Sequence, residues 1–213
     1  MKTLLNRRAF LALASLGGAA GCSLQRAALP ERTFLIEGPQ AGAPVAGDPA
    51  GVMLVRLFRV APAFDSRACI IRRGEAEYVA DAYHAFLLSP GPMLTEAVAT
   101  WLRSLGVFRT VTTGGSQVAA THALEADVNE LYGDYRDPAA PRAVLAMQFR
   151  LLHPLAGSTT NVLWQRSERQ SEPIVRADAD ALVAGWSRAL AEVCRRLEPA
   201  FLPRPAATPG AQT

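Results

Sequence analysis

The stretch from His122 to Arg169 constrains the fold most. It holds two long strand candidates, His122 to Tyr135 and Arg142 to His153, joined by Arg136-Asp137-Pro138. A third runs from Asn161 to about Arg169, after a turn at Pro154 to Ser158. Leu124, Ala126 and Val128 alternate with Glu125, Asp127 and Asn129, and Met147 and Phe149 alternate with Gln148 and Arg150. Successive side chains of a strand point to opposite faces, so this period gives each strand one dry face and one wet face. Short turns between such strands predict an antiparallel meander.

Two helical stripes are available to cover the dry face. Ser89-Pro90-Gly91-Pro92 announces the first helix, since proline suits a first helical turn. It is expected from about Met93 to Leu105, with Leu94, Ala97, Val98, Trp101, Leu102 and Leu105 at three- and four-residue spacing and Gly106 as its stop. The second is expected from about Asp178 to Glu198, capped by Asp178 or Asp180. Its stripe is Leu182, Val183, Trp186, Leu190, Val193 and Leu197. Arg195 and Arg196 lie in the last turn, where the helix dipole favours cations, and Pro199 ends it. The expected class is α+β, a mostly antiparallel sheet packed by two amphipathic helices.

Shorter pieces precede the meander. Thr33 to Ile36 is a brief strand candidate, followed by a Gly-, Pro- and Ala-rich linker from Glu37 to Gly51. Val52 to Val60 reads as one strand, Pro62 and Asp65 as a turn, and Ala68 to Arg73 as the next strand. Gly74-Glu75 makes a hairpin into Ala76 to Val79. Val107 to Val111 is a further strand, before a Gly114-Gly115-Ser116 loop.

The first twenty-two residues set the compartment. Lys2, Arg7 and Arg8 precede an apolar run from Phe10 to Leu16, then small residues from Gly17 to Gly21, then Cys22. This is the order of a secretory signal, and the apolar run falls short of the roughly 20 residues of a membrane span. Ala19-Ala20-Gly21-Cys22 resembles the bacterial lipobox, in which the cysteine thiol is acylated. Asn6-Arg7-Arg8-Ala9-Phe10-Leu11 resembles a twin-arginine export motif, and an ordinary Sec n-region reads equally well. The expected layout is a signal peptide at 1–21, a lipidated tether and linker with one short strand at 22–51, one domain at 52–202 and a disordered tail at 203–213.

Charge then changes meaning. The net +3 of the 213 residues is supplied by Lys2, Arg7 and Arg8 alone. Beyond Cys22 the 19 arginines balance 19 acidic residues. A nucleic-acid surface needs a net basic face to displace counterions, and this balance provides none in bulk. Cys69 and Cys194 remain as a candidate disulfide in an oxidising compartment or as two buried thiols.

Candidate chemistry is thin. His84, His122 and His153 have no second ligand at HExxH or CxxC spacing. Glu125, Asp127 and Asn129 place three oxygen donors on one strand face, where calcium could use them. The simpler reading is a solvated face pairing with arginines such as Arg150 or Arg166 across the sheet. GxSxG, P-loop and GxGxxG motifs do not occur. No catalytic, cofactor-binding or metal residue is expected, and no enzyme activity.

The order of elements resembles the auxiliary lipoproteins of ABC-type transport systems, which include the paraquat-inducible C-type lipoproteins. The residues that carry the resemblance are the strand Val52 to Val60, the turn Ala61-Pro62-Ala63-Phe64-Asp65, and Ile70-Ile71-Arg72-Arg73 with Tyr78 after it. Tyr83-His84-Ala85-Phe86-Leu87-Leu88-Ser89-Pro90, leading to Trp101-Leu102, closes the pattern. Many members carry Trp near Phe86 and a more Leu-, Asp- and Arg-rich turn near Asp65, and this chain departs at both places. The resemblance implies a non-enzymatic accessory subunit held at the periplasmic face of the outer membrane by acylated Cys22. It implies as partners an inner-membrane ABC transporter and an MCE-type periplasmic subunit that move lipids or organic solvents. Ser23 is not the aspartate that retains lipoproteins at the inner membrane, which agrees with outer-membrane delivery. The alternative is an envelope structural or assembly lipoprotein not tied to a transporter.

Overall fold

The computed structural model describes residues 32–39, 49, 51–114, 119–154 and 160–202. The signal, Arg7, Arg8, Cys22, most of the linker and the tail from 203 lie outside the described residues. The elements, in chain order, are β1 (Arg32–Phe34), β2 (Val52–Val55), β3 (Arg59–Val60), β4 (Ala68–Arg72), β5 (Tyr78–Phe86) and α1 (Pro90–Leu105), followed by β6 (Thr110–Thr113), β7 (His122–Asp134), β8 (Arg142–Pro154), β9 (Thr160–Pro173) and α2 (Ala179–Leu197). A 3-10 turn, Glu198–Ala200, follows where Pro199 stops α2. The fold is α+β.

β7 is the spine of the mixed sheet. One of its edges is taken by β8 along nearly its whole length, antiparallel, and β8 in turn carries antiparallel β9. The expected meander is therefore present. The other edge of β7 is shared end to end by β2, β3 and β4, all parallel to it. β5 pairs antiparallel with β4, β1 adds parallel to β5, and β6 adds parallel to β2. The long pairings are antiparallel; the shorter ones that complete the sheet are mostly parallel.

Two irregularities separate the structure from simple alternation. The strand expected over Val52 to Val60 is split. Val55 sits opposite Leu124 and Arg59 opposite Asp127, so four steps on one side match three on the other. The extra length lets the Phe58 amide donate to Thr95 Oγ1 of α1 at 2.9 Å, while Leu57 is left in solvent. The second irregularity is in β7. Val128 lies opposite Met147 and Glu130 opposite Ala146, which makes Asn129 an extra residue. Such a bulge reverses which parity faces inward. Before it, Leu124, Ala126 and Val128 are buried; after it, Leu131 and Gly133 take over, and Gly133 lies against Leu182 of α2.

The helices cover the dry face as expected. Asp178 caps α2 by accepting from the Ala181 amide at 2.8 Å. Gly106 ends α1 with φ of 68°, a left-handed conformation that glycine adopts without strain. Trp186 is fully buried, and its Nε1 donates to the Val144 carbonyl at 3.1 Å. Gly185 lets α2 come this close: a Cβ there would meet Ala143 Cβ at 2.6 Å and Ile174 Cγ2 at 2.7 Å. Burying each large apolar side chain of this face contributes about 1.5–3 kcal/mol.

Candidate functional site

Three polar or apolar features gather chemistry, and the first surrounds β1, at the start of the described residues. β1 is an edge strand whose Arg32, Thr33 and Phe34 lie opposite His84, Ala85 and Phe86. The Arg32 guanidinium forks onto both Asp180 oxygens at 2.9 Å, joining β1 to the first turn of α2. Beyond β1, the Ile36 amide points at Met93 Sδ of α1 at 3.3 Å and the Glu37 amide donates to Ser187 Oγ of α2 at 3.1 Å. Gly38 then presses on α1, where a Cβ would meet the Ala97 carbonyl oxygen at 2.6 Å. The chain thus touches both helices within three residues. It forms with α1 a groove of about 410 Å³, lined by Leu35, Ile36, Pro39, Leu88, Met93 and Ala97. Leu35, Leu87 and Leu88 stand about half exposed.

A smaller pocket, about 210 Å³, lies at the start of α2 and holds Cys69, Asp81, His84 and Tyr135. His84 Nδ1 is 2.8 Å from Asp81 Oδ2, and Asp81 Oδ1 accepts from the Tyr83 and His84 amides at 2.8 and 3.2 Å. Burial works to raise the Asp81 pKa, but the Tyr83 amide and the His84 ring and amide together hold it below the ordinary value. Burial, then the Asp81 charge, pushes the Cys69 thiol up to about 12. Burial, then Asp178, pushes Tyr135 to about 12. At neutral pH the thiol keeps its proton and is no nucleophile.

Cys69 and Cys194 are separate, free and buried thiols. Burial raises the Cys194 pKa as well. The candidate disulfide is not formed, for a reason of geometry. Cys69 shares its pocket with Leu182. Cys194 lies twelve residues further along α2, about 18 Å at 1.5 Å per residue. A disulfide needs Cα atoms within about 7 Å.

The third feature is the wet face of β7 and β8. Arg150 reaches both Glu125, at 3.4 Å, and Asp127, at 2.7 Å. Arg56 adds to Glu125 at 2.5 Å and Arg59 to Asp127 at 2.7 Å. Five side chains thus alternate in sign across β3, β7, β8 and the segment after β2. Hydrogen bonding by Arg59 outweighs burial and, with Arg150, holds Asp127 below the usual carboxylate range. Arginine pairs with the carboxylates of Glu125 and Asp127, and Asn129, the third donor of the row, stands exposed as the extra residue of the bulge. Arg150 is the partner that the alternation pointed to. Arg166 is not: it faces α2 and donates to the Arg196 carbonyl at 3.5 Å.

The β7–β8 register also brings two of the three histidines together. The His122 and His153 rings are 5.8 Å apart, and burial, then the His153 charge, lowers the His122 pKa. Each also bonds Thr121, His122 through Oγ1 at 3.0 Å and His153 through the carbonyl at 2.8 Å. Among the described residues no group of three or more His, Cys, Asp or Glu is placed to hold a metal ion. The Arg32–Asp180 fork and the Glu37–Ser187 contact join residues about 150 positions apart, and sequence reasoning missed both. Neither leaves a periodic or motif signal.

A family model described as an ABC-type transport auxiliary lipoprotein component matches residues 34–198. Among solved structures, protein XCC0632 from Xanthomonas campestris is similar at TM-score 0.65 and 21% identity, over 78% of this chain and 92% of that one. A second, an uncharacterized protein, is similar at TM-score 0.63 and 11% identity, over 81% and 99%. These likenesses are of fold. No curated protein matches the chain.

Proposed function

The chain belongs to the ABC-type transport auxiliary lipoprotein components, and from that premise we propose that it is an outer-membrane-tethered accessory subunit of an MCE-linked transporter of lipids or organic solvents. It docks on an MCE-type periplasmic subunit and does no chemistry of its own. The observation that carries this reading is the extent of the family match, from Phe34 at the end of β1 to Glu198 just past α2. The acylated anchor is Cys22, reached by export through the Arg7-Arg8 signal. An anchor with more than one acyl chain holds stably to a bilayer. The fork between Arg32 and Asp180 suits the point where such a tether meets the folded domain.

The test is a pull-down with the full-length lipoprotein solubilised from membranes. An MCE-type subunit and its ABC transporter are expected among the captured proteins. Capture of neither, with the lipoprotein intact and folded, overturns the proposal in favour of a transporter-independent envelope role. A Cys22→Ala chain is expected to leave the membrane fraction and to lose labelled palmitate.

A further inference from the structure

Edge strands present a row of unpaired backbone amides and carbonyls, and proteins usually keep them short or guard them. β9 is fourteen residues long and, among the described residues, pairs only with β8. It contains no proline before Pro173. Its residues divide between two faces. Trp164, Glu168 and Glu172 meet Phe201 and the arginines of α2: the Trp164 and Phe201 ring centres are 5.6 Å apart, Glu168 is 3.6 Å from Arg196, and Glu172 is 4.0 Å from Arg188. Ser167, Arg169 and Ser171 meet Gln148, Glu130 and Arg142 on the opposite face. Between Trp164 and Gln170 the alternation is unbroken, because the irregularity against β8 falls below it, at Leu151 and Leu152.

This stretch is complementary to itself in one register. If two copies run antiparallel with Ser167 opposite Ser167, Arg166 of each faces Glu168 of the other, twice over. Shifting the centre to Arg166, Glu168 or Arg169 sets like charges directly opposite, which is destabilising. Centring on Ser167 also sets Trp164 opposite Gln170. These two residues hold the only buried side-chain polar atoms without a hydrogen-bond partner among the described residues, Trp164 Nε1 and Gln170 Nε2. Gln170 is only 7% exposed and lies between the Glu168 and Glu172 ion pairs. Both atoms are donors and cannot satisfy each other, but the paired strand places the Trp164 indole N–H beside the Gln170 side-chain carbonyl, which gives the indole its missing acceptor.

We propose that β9 is a self-pairing edge, through which two copies of this chain join antiparallel about Ser167 over Trp164 to Gln170. The two sheets then continue as one, with α2 of each copy on the same face.

The test uses the full-length chain with one added cysteine, under mild oxidation, against the parent. Ser167→Cys puts two thiols on the two-fold axis. Gln165→Cys puts them out of disulfide reach of each other, since Cα atoms must lie within about 7 Å. Ser167→Cys is expected to cross-link about tenfold faster than Gln165→Cys. A mixture of Gln165→Cys and Arg169→Cys chains is expected to form the mixed dimer. Equal rates at 165 and 167, or no cross-linked dimer from either, overturn the proposal. Sedimentation of charge variants gives the second readout. Arg166→Glu and Glu168→Arg are each expected to lose the dimer, and the double exchange to regain it. A double exchange that stays monomeric with a native circular dichroism spectrum also overturns it. So does capture by β9 of a different protein's strand in place of a second copy.

Discussion

The two faces of β7 and β8 are built from the same alternation yet are held by different forces. On one face Trp186, Leu190 and Leu182 of α2 are sealed against Leu145, Leu131 and Ala143. On the other, Arg56, Glu125, Arg150, Asp127 and Arg59 lie partly in water. Apolar burial scales with the area removed from water, whereas ion pairs near solvent contribute about 0–1 kcal/mol each. The contrast separates the face that stabilises the domain from the face that keeps its sheet soluble and in register.

Substitutions can break that contrast. Trp186→Ala should be the most damaging, because it removes a fully buried ring and its bond to Val144. A loss of about 3–5 kcal/mol is expected, read as a drop in the urea midpoint. A loss below about 1 kcal/mol would mean that the helix face is not the main source of stability. Gly185→Ala comes next. Alanine favours helix, but its Cβ would stand 2.6 Å from Ala143 Cβ, so overpacking should cost about 1–3 kcal/mol.

Asp127→Asn should cost about 1 kcal/mol or less, because its pairs are partly screened by solvent. Its effect has a defined pH range. The Asp127 pKa is lower folded than unfolded, so its contribution is complete above the unfolded value, about 3.9. That contribution is lost as pH falls through the lower folded value. The gap between parent and variant should hold from neutral pH to about pH 4 and then close in more acid solution. Glu192→Gln should change the midpoint least. Arg195 and Arg196 hold the carboxyl at about 2, but the site is open to water. A carbon-13 titration should find the low pKa while the melting curve stays where it was.

The helices were legible because each has one uninterrupted apolar stripe and a recognisable end. Asp178 caps α2 where the sequence allowed either aspartate, and Gly106 closes α1. The first half of β7 was legible for the same reason, up to Asn129. The strand pattern shows β5 only as far as Val79, since Asp81 and His84 interrupt it and answer to each other. The split at Leu57 was hidden because it depends on Thr95, in a helix that the local sequence does not contain. The docking of β1 was hidden too. Thr33 to Ile36 reads as a brief strand in a linker, but its parallel pairing with β5 and its contacts with α1 and α2 are long-range.

Asn129 carries a consequence for how this gene can change. Almost any side chain could stand there, since it points into solvent. Its presence as a unit of length is dispensable to the inner face as well. An in-frame loss of that single codon would set Glu130 directly after Val128, the two opposite the consecutive residues Ala146 and Met147, so Leu131 and Gly133 would stay inward and only the local bend of the bulge would go. Natural variation at this position should therefore include single-residue deletions as well as replacements, each keeping Leu131 and Gly133 on the inner face.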